Sequence, residues 1–262
     1  MEFETLLFEV RDGVAQITLN RPDAANSIDV RLARELMEAA IRCDEDTKVR
    51  AVLMTGAGKR FCAGGDLKAF ASYVGELKGA LKETVIYLHA ASSHFVRMDA
   101  PLVVAVNGVA AGAGMSLAVA GDLVLAAESA KFIMAYTAAG LSPDASSSYF
   151  LPRLIGLRRA QELMLTNRLL SAAEALEWGL INRVVPDAQL AVEARGLAQA
   201  MAQGPTRAFG TVKTLLGESF SGTLETQLER EARGIVAMGR SADGREGVRA
   251  FVEKRKPVFS GA

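Results

Sequence analysis

Along the first two thirds of the chain, short apolar or alternating runs typical of strands are followed by apolar residues at helical spacing. This pattern predicts strands alternating with helices. The predicted strands are residues 6–11, 14–19, 51–55, 102–106 and 123–126. Apolar residues at helical spacing predict helices over 31–41 and 77–98. The turn dipeptide Asp12–Gly13 joins the first two strands as a hairpin. Strands that alternate with helices indicate the α/β class.

The last third of the chain has a different pattern. Residues 171–174 form a capping box (Ser171 followed three residues later by Glu174) that predicts the start of a short helix. Residues 188–254 contain only helical periodicity, interrupted at Gly204–Pro205, Ser221–Gly222 and Ser241. We therefore expect a strand-rich core over residues 1–190 that carries the functional site. Residues 191–262 form a helical region that packs on this core or on a neighbouring subunit.

Composition narrows the class of function. Half of the 262 residues are hydrophobic, which is enough for a large core, and 30 basic residues balance 30 acidic ones. A zero net charge without a basic stripe argues against nucleic acid or a membrane surface as the partner. Two cysteines, Cys43 and Cys62, and two histidines form no metal-binding pattern. With acidic residues at the N-terminus and no long apolar run, we expect a cytoplasmic protein that holds no metal.

Two glycine-rich segments, residues 58–67 and 107–115, are the strongest candidates for chemistry. Each follows a predicted buried strand and precedes a probable helix. Small residues at such a turn let a ligand approach the backbone, where the first N–H groups of the helix lack an intrahelical partner. An oxyanion placed there gains hydrogen bonds and a favourable helix dipole. Either segment alone is more typical of a tight turn, and their joint occurrence favours an anion site.

These segments resemble the paired signatures of the crotonase (enoyl-CoA hydratase/isomerase) superfamily. The residues that carry the resemblance are 61–67, 107–114, 140–144, 151–156 and 172–181. The resemblance implies a ClpP-like spiral of ββα units with a C-terminal helical region, assembled as homotrimers that commonly pair into hexamers. It also implies an acyl-CoA thioester as substrate, with no cofactor besides the coenzyme A that this substrate carries. The N–H groups of Gly65 and Ala113 match the oxyanion hole that holds the thioester oxygen.

The resemblance also assigns residues to the binding of coenzyme A. The residues that match positions lining this part of the site are Ala24, Ala63 and Leu67. The basic residues expected near the phosphates are Arg21, Lys68 and, from an adjacent subunit, Lys254 and Lys256. Because lysines are mostly exposed in proteins, a purely solvated role for these side chains stays open.

The acid–base residues depart from the hydratase pattern. Hydratases of the family use two glutamates, whereas this chain has Ser116 and Tyr136 at the matching positions. Asp144 instead matches the acidic residue of bacterial ring-epoxide and dienoyl-type CoA isomerases and of 4-chlorobenzoyl-CoA dehalogenases. A double-bond shift needs only one base, which can remove a proton and return it elsewhere. The alternative is that Asp144 caps a helix beginning at Ala145.

His89 supports a competing hypothesis. It matches a histidine that acts as a base in the dehalogenases, although Tyr136 replaces the tryptophan that those enzymes place against the aspartate. Gly65 likewise replaces an aromatic residue of their aryl pocket. We predict an enoyl-CoA isomerase with Asp144, Gly65, Ala113 and His89 as catalytic residues, and with Tyr136 in contact with the substrate. A hydratase, a dehalogenase or thioester hydrolase with Asp144 as nucleophile, and a non-catalytic CoA-binding protein remain as alternatives.

Overall fold

The computed structural model describes residues 3–72 and 77–262, and its strands form two sheets. The strands of the described residues are β1 (Leu6–Arg11), β2 (Val14–Leu19), β3 (Ala51–Gly56), β4 (Leu102–Val106), β5 (Val109–Ala111), β6 (Leu123–Ala127), β7 (Lys131–Ile133), β8 (Leu170–Ser171) and β9 (Arg183–Val185). The larger sheet has the order β1-β2-β3-β4-β6-β9. Its β1–β2 pair is antiparallel and all its later pairs are parallel. All five residues of β4 are buried, as expected where helices cover both faces of a parallel sheet.

The smaller sheet has the order β5-β7-β8 and gives the fold its repeating unit. The first strand of each unit joins the larger sheet, the second joins the smaller sheet, and a helix follows. Strands β4 and β5 precede a helix in this way, as do β6 and β7. An isolated bridge between Cys62 and Ala110 extends the pattern to the segment after β3. This arrangement confirms the predicted α/β spiral of ββα units.

Helices surround the two sheets. Those in the described residues are α1 (Val30–Glu45), α2 (Leu67–Ser72), α3 (Leu77–Arg97), α4 (Ala113–Val119), α5 (Ser147–Ile155), α6 (Leu157–Thr166), α7 (Ala172–Glu177), α8 (Leu190–Ala202), α9 (Thr206–Glu218), α10 (Leu224–Arg240) and α11 (Ala242–Val252). The side chain of Asp29 caps α1 by accepting a hydrogen bond from Leu32 N–H. All seven residues of α4 are buried, which fixes the segment that follows β5 in the interior. None of these described helices is long and apolar enough to cross a membrane.

Most predicted elements are confirmed within one or two residues, but α1 continues to Glu45, four residues beyond its predicted end, and two further kinds of exception occur. Strands β5, β7, β8 and β9 were not predicted, because runs of two or three residues are too short to show a period. The helix predicted to begin at Ala145 begins instead at Ser147, since Ala145 and Ser146 both have positive φ angles, of 48° and 74°. The C-terminal breaks at Gly204–Pro205, Ser221–Gly222 and Ser241 do separate successive helices.

The C-terminal helices α10 and α11 leave many apolar side chains exposed. Helix α10 has no buried residue at all, although Leu228 and Ile235 lie on it with exposed fractions of 53% and 73%. On α11, Phe251 is 84% exposed. Apolar side chains exposed over two adjacent helices are typical of a surface that packs against another chain. The boundary at residue 190 between the core and an oligomerisation region stays a prediction.

Gly114 offers a test of how tightly the core holds the segment after β5. A Cβ atom on Gly114 would lie 2.3 Å from the backbone oxygen of Cys62, whereas one on Gly196, in α8, would have no atom within 4 Å. Gly114→Ala should therefore lower the free energy of unfolding by about 1–3 kcal/mol. Gly196→Ala is the matched control and should raise it by about 0.5–1 kcal/mol, since it removes a helical glycine without a clash. Urea unfolding at one protein concentration measures both, and equal stabilisation by the two changes would contradict this packing.

Candidate active site

Two glycine-rich loops meet edge to edge in the interior. Cys62 N–H donates to Val109 O at 3.1 Å, and Ala111 N–H donates to Cys62 O at 2.9 Å. Gly64, with a φ of 92°, turns the first loop so tightly that a Cβ there would lie 2.8 Å from Ala111 O. Only glycine combines this left-handed φ with such a close approach to a neighbouring backbone. The paired backbones therefore hold residues 62–65 against residues 109–113.

Each loop presents one backbone N–H that is left without an acceptor. The bridge between Ile28 and Gly65 uses Ile28 N–H to Gly64 O and Asp66 N–H to Ile28 O, so it leaves Gly65 N–H free. Ala113 is the first residue of α4, where an N–H group has no partner within the helix. No acceptor for either N–H occurs among the residues that the structure describes. Both residues line one cavity, which gives it two free donors of the oxyanion-hole type.

This cavity has a volume of about 430 Å³ and a mostly apolar wall. One face of α3 supplies a stripe at helical spacing, consisting of Leu81, Thr84, Val85, Leu88 and His89. The ring of Phe70 occupies the space beside Gly65, where a Cβ would approach its Cε2 atom to 2.9 Å. Apart from His89, the individual residues of this stripe were not named from the sequence, although the spacing of 81, 84, 85 and 88 is a signal that could have found it.

A chain of three hydrogen-bonding side chains lies at the cavity. Tyr136 Oη donates to Asp144 Oδ1 at 2.5 Å, and Ser116 Oγ lies 3.0 Å from Tyr136 Oη. Because the phenolic proton goes to Asp144, the proton of the second bond comes from Ser116, whose Oγ also lies 3.3 Å from a second acceptor, Gly112 O. No partner for Asp144 Oδ2 is found in the described part of the chain. The two residues that stand where hydratases carry glutamates thus form a neutral hydroxyl chain that ends on one carboxylate.

Tyr136 keeps its proton over the working pH range. Burial is the main cause that raises the pKa of Tyr136, and the negative charge of Asp144 raises this pKa further, as does the hydrogen bond to that carboxylate. The hydrogen bond from Ser116 acts in the opposite direction and is weaker. Tyr136 therefore acts as a permanent hydrogen-bond donor at this site and not as a base.

Asp144 lies on the short connection before α5, and its carboxylate does not cap that helix. The residue at the N-cap of α5 is Ser146, which makes no side-chain cap hydrogen bond. The capping alternative for Asp144 is wrong because its side chain turns toward Tyr136 and the two residues after it are left-handed. Asp144, which the capping alternative assigned to a helix start, is thus one of the residues that line the cavity.

His89 lies on the exposed rim of the same cavity, next to Asp144 in space. Its Nε2 accepts a hydrogen bond of 3.1 Å from Ala145 N–H. In this arrangement Nε2 is the unprotonated nitrogen, and it could take a substrate proton only by giving up this bond. A direct catalytic role for His89 stays a prediction, whereas the contact to the backbone after Asp144 is a property of the fold.

The residues predicted to bind coenzyme A divide into two groups. Ala63, Leu67 and Tyr136 line the cavity. Ala24, Lys68 and Lys254 lie outside it, Ala24 in a turn of 3₁₀ helix and the two lysines on the surface. Their roles toward coenzyme A stay predictions.

Arg21 is not a free cation for a phosphate. Its Nη2 lies 3.1 Å from Asp29 Oδ2 and 3.0 Å from Asp66 Oδ2, so two carboxylates already neutralise its charge. The pKa of Asp66 is lowered by the hydrogen bonds from Ala69 N–H and Arg21 against an opposing effect of burial. Arg21 therefore ties the end of the first glycine loop to the N-terminus of α1. In the described ranges, 3–72 and 77–262, no cluster of three potential metal ligands occurs.

Comparison with known proteins places this geometry in a family. The family model described as enoyl-CoA hydratase/isomerase matches residues 9–262. The chain is 42% identical over 262 residues to the 1,2-epoxyphenylacetyl-CoA isomerase of Escherichia coli (strain K12), covering 100% of this chain and 99% of that protein. It is 38% identical over 230 residues to 4-chlorobenzoyl coenzyme A dehalogenase-2 of Arthrobacter sp, covering 87% of this chain and 83% of that one.

A solved structure agrees with these sequence relatives. The crystal structure of enoyl-CoA hydratase from Bacillus anthracis has a TM-score of 0.92 at 33% identity, with 99% of this chain and 100% of that chain covered. Similarity of this extent, over nearly the whole length of both chains, confirms the resemblance on which the sequence predictions were built. The chain belongs to the enoyl-CoA hydratase/isomerase family, the crotonase superfamily.

Proposed function

We propose that this chain is an enoyl-CoA isomerase that holds a thioester enolate between two backbone N–H groups and moves one proton with Asp144. The observation that carries the proposal is the composition of the cavity lining. It includes two unpaired N–H groups, those of Gly65 and Ala113, and a single carboxylate. This set supplies an oxyanion hole and one base, which is the minimum that a double-bond shift requires.

The chemistry follows from the charge that develops on the thioester. Removal of a proton from the carbon next to the thioester sends the electron pair toward the carbonyl oxygen, where the two N–H groups stabilise the negative charge. Asp144 Oδ2 takes this proton, and the protonated acid returns it to the γ-carbon as the electron pair moves back. The double bond shifts, and no atom is gained or lost. Coenzyme A takes part only as a portion of the substrate, and neither a metal ion nor another cofactor is a reagent in this scheme.

Hydration is less well supported by the same lining. It requires one group to activate water and a second to protonate carbon, which two carboxylates do in the hydratases. Here Ser116 and Tyr136 stand in those positions, and burial together with Asp144 raises the pKa of Tyr136. A phenol that holds its proton this strongly cannot activate water.

Nucleophilic attack by Asp144 is the second candidate. The free Oδ2 atom favours it, and so does the 38% identity to a protein named as a 4-chlorobenzoyl coenzyme A dehalogenase. In this alternative Oδ2 displaces chloride from an aryl carbon to form an aryl ester, or displaces the CoA thiolate from the acyl carbon to form a mixed anhydride, and water later cleaves either intermediate. A free carboxylate oxygen can also attack a carbonyl or ring-epoxide carbon. The chain is 42% identical to an isomerase named for 1,2-epoxyphenylacetyl-CoA, so aromatic thioesters are a substrate class to test.

The remaining predicted contacts belong to the same proposal. Ala24, Ala63, Leu67 and Lys68 bind the coenzyme A portion, with Lys254 contributed by an adjacent subunit of a homotrimer or hexamer. The exposed apolar side chains of α10 and α11 support this assembly, because apolar surface that faces water lowers stability until it is covered. The proposed place of action is the cytoplasm, where acyl-CoA thioesters are accessible to the enzyme.

Replacing the proposed base tests the function directly. Asp144→Asn should lower kcat by about 10²–10⁴-fold on the best substrate, because an amide cannot take a proton. The dissociation constant of coenzyme A should change by less than about threefold, as the amide keeps the size of the side chain and its oxygen can still accept the hydrogen bond from Tyr136. Activity of the unaltered protein and of each variant is measured in a screen of four thioesters: crotonyl-, 3-enoyl-, phenylacetyl-derived and 4-chlorobenzoyl-CoA. Asp12→Asn makes the same chemical change at the exposed hairpin turn and should leave kcat unchanged.

The outcomes of this screen separate the alternatives. A double-bond or ring rearrangement that depends on Asp144 supports the isomerase. Full activity of Asp144→Asn would overturn the assignment of the base. Water addition to crotonyl-CoA by the unaltered protein would indicate a hydratase, and an ester at Asp144 detected by mass spectrometry of the quenched reaction would indicate a nucleophile. Thermal stabilisation by thioesters with no turnover of any of them would indicate a binding protein.

The proposed assembly makes a separate prediction. Light scattering should give three or six times the 27.8-kDa mass of the chain. The double change Leu228→Glu and Ile235→Glu should lower this mass, since it places charge in the apolar stripe of α10. Glu231→Gln, at an exposed charged position of the same helix, should leave the mass unchanged. A monomeric unaltered protein at micromolar concentration would rule the assembly out.

A further inference from the structure

Tyr136 touches Asp144 at one carboxylate oxygen and leaves the other free. Its phenolic proton is donated to Oδ1 at 2.5 Å, and no residue of the described chain contacts Oδ2 by a hydrogen bond. Ser116 Oγ, from the buried helix α4, lies 3.0 Å from Tyr136 Oη and 3.3 Å from Gly112 O, and with the phenolic proton on the Asp144 side Ser116 supplies the proton to Tyr136 Oη. We infer that Tyr136, supported by Ser116, is a positioning residue that fixes the Asp144 carboxylate so that Oδ2 alone faces the reacting carbons. This inference rests on the proposed role of Asp144 as the group that moves the proton.

The two oxygens of a carboxylate are equivalent until a neighbour distinguishes them. A short hydrogen bond to a charged acceptor is among the stronger interactions of a side chain, and it limits rotation of the whole group. A base that must take a proton at one carbon and return it at another needs a fixed lone pair that can reach both positions. Tyr136 supplies that restraint without competing for the proton, since its own proton stays on the phenol.

The main chain after Asp144 is held from the other side. Ala145 N–H donates to His89 Nε2 at 3.1 Å, and Ala145 and Ser146 are both in the left-handed region. Such a backbone persists only where surrounding contacts determine it. The carboxylate is therefore fixed at two points, its own Oδ1 atom and the peptide that follows it.

The chemical nature of residues 116 and 136 fits this role. A glutamate at either position would place a second negative charge close to Asp144 and favour a shared proton, which would compromise a single base. A phenylalanine at position 136 would keep the ring but leave Oδ1 without its donor. A neutral hydroxyl donor, backed by a second hydroxyl, orients the Asp144 carboxylate and adds no second negative charge beside it.

Removing the phenolic hydroxyl tests the inference. Tyr136→Phe should lower kcat by about 10- to 100-fold, the loss expected for one hydrogen bond to a charged group, with KM within about twofold. Ser116→Ala should lower kcat by about two- to tenfold, since it removes a bond between neutral groups one step further away. Tyr149→Phe is the matched control, because its hydroxyl donates to Gly217 O at the surface, and its kcat should equal that of the unaltered protein.

Double changes separate positioning from a loss of structure. If Ser116 acts only through Tyr136, the variant with both Ser116→Ala and Tyr136→Phe should be no slower than Tyr136→Phe alone. If Tyr136 acts only through Asp144, adding Tyr136→Phe to Asp144→Asn should have no further effect. Independent, multiplying effects in either pair would overturn the inference, as would a fall in kcat/KM that is entirely a rise in KM.

Failure of the inference differs from failure of the proposed function. An inactive Asp144→Asn together with a fully active Tyr136→Phe overturns the positioning role and leaves the base in place. An active Asp144→Asn overturns both. If Tyr136→Phe loses its cooperative thermal transition, Ser116→Ala decides the question, and an unchanged kcat in that variant sinks the positioning role.

Discussion

The close approach of two glycine-rich backbones is the constraint on which the rest of the site depends. Strand β5 pairs with the segment around Cys62, and Gly64 and Gly114 have no side chain at the points where a Cβ would strike the opposing backbone. This pairing uses the hydrogen bonds of Cys62 and Ala111 and leaves those of Gly65 and Ala113 free. The proposed oxyanion hole therefore consists of the two N–H groups that this packing interaction leaves unpaired. The sheet, the buried helix α4 and the ion pairs of Arg21 all serve to keep these two backbones at contact distance.

Electrostatics then determines what the two N–H groups can be used for. Backbone donors stabilise any thioester oxyanion and do not select among reactions. Selection comes from the acid–base groups beside them, and here a single carboxylate ends a chain of two hydroxyls. Burial and the charge of Asp144 raise the pKa of Tyr136, so the phenol remains a donor. One oriented base next to an oxyanion hole suits a proton shift better than a reaction that needs two bases.

Sequence patterns predicted five of the six strands of the larger sheet, the long helices and the positions of both glycine loops. They succeeded there because a buried strand is a continuous apolar run and an amphipathic helix has a period that extends over several turns. The short strands β5, β7, β8 and β9 show no such pattern, and their pairing depends on residues distant in the chain. The link from Tyr136 to Asp144 could not be predicted either, since it requires the left-handed turn at Ala145 and Ser146. Propensity favours a helix cap for an aspartate in that position, and the tertiary hydrogen bond prevails over it.

The separation of the oxyanion hole from the acid–base residues explains how closely related chains can carry different activities. The hole consists of backbone atoms at buried, tightly packed positions, so substitutions that keep the loops small leave it intact. Tyr136 and Asp144 line one cavity, and Ser116 lies behind Tyr136 on the buried helix α4. Exchanging them alters the number and orientation of bases without disturbing either sheet. In the proposed function, the fold first fixes the thioester, and the side chains at positions 116, 136 and 144 then determine which bond changes.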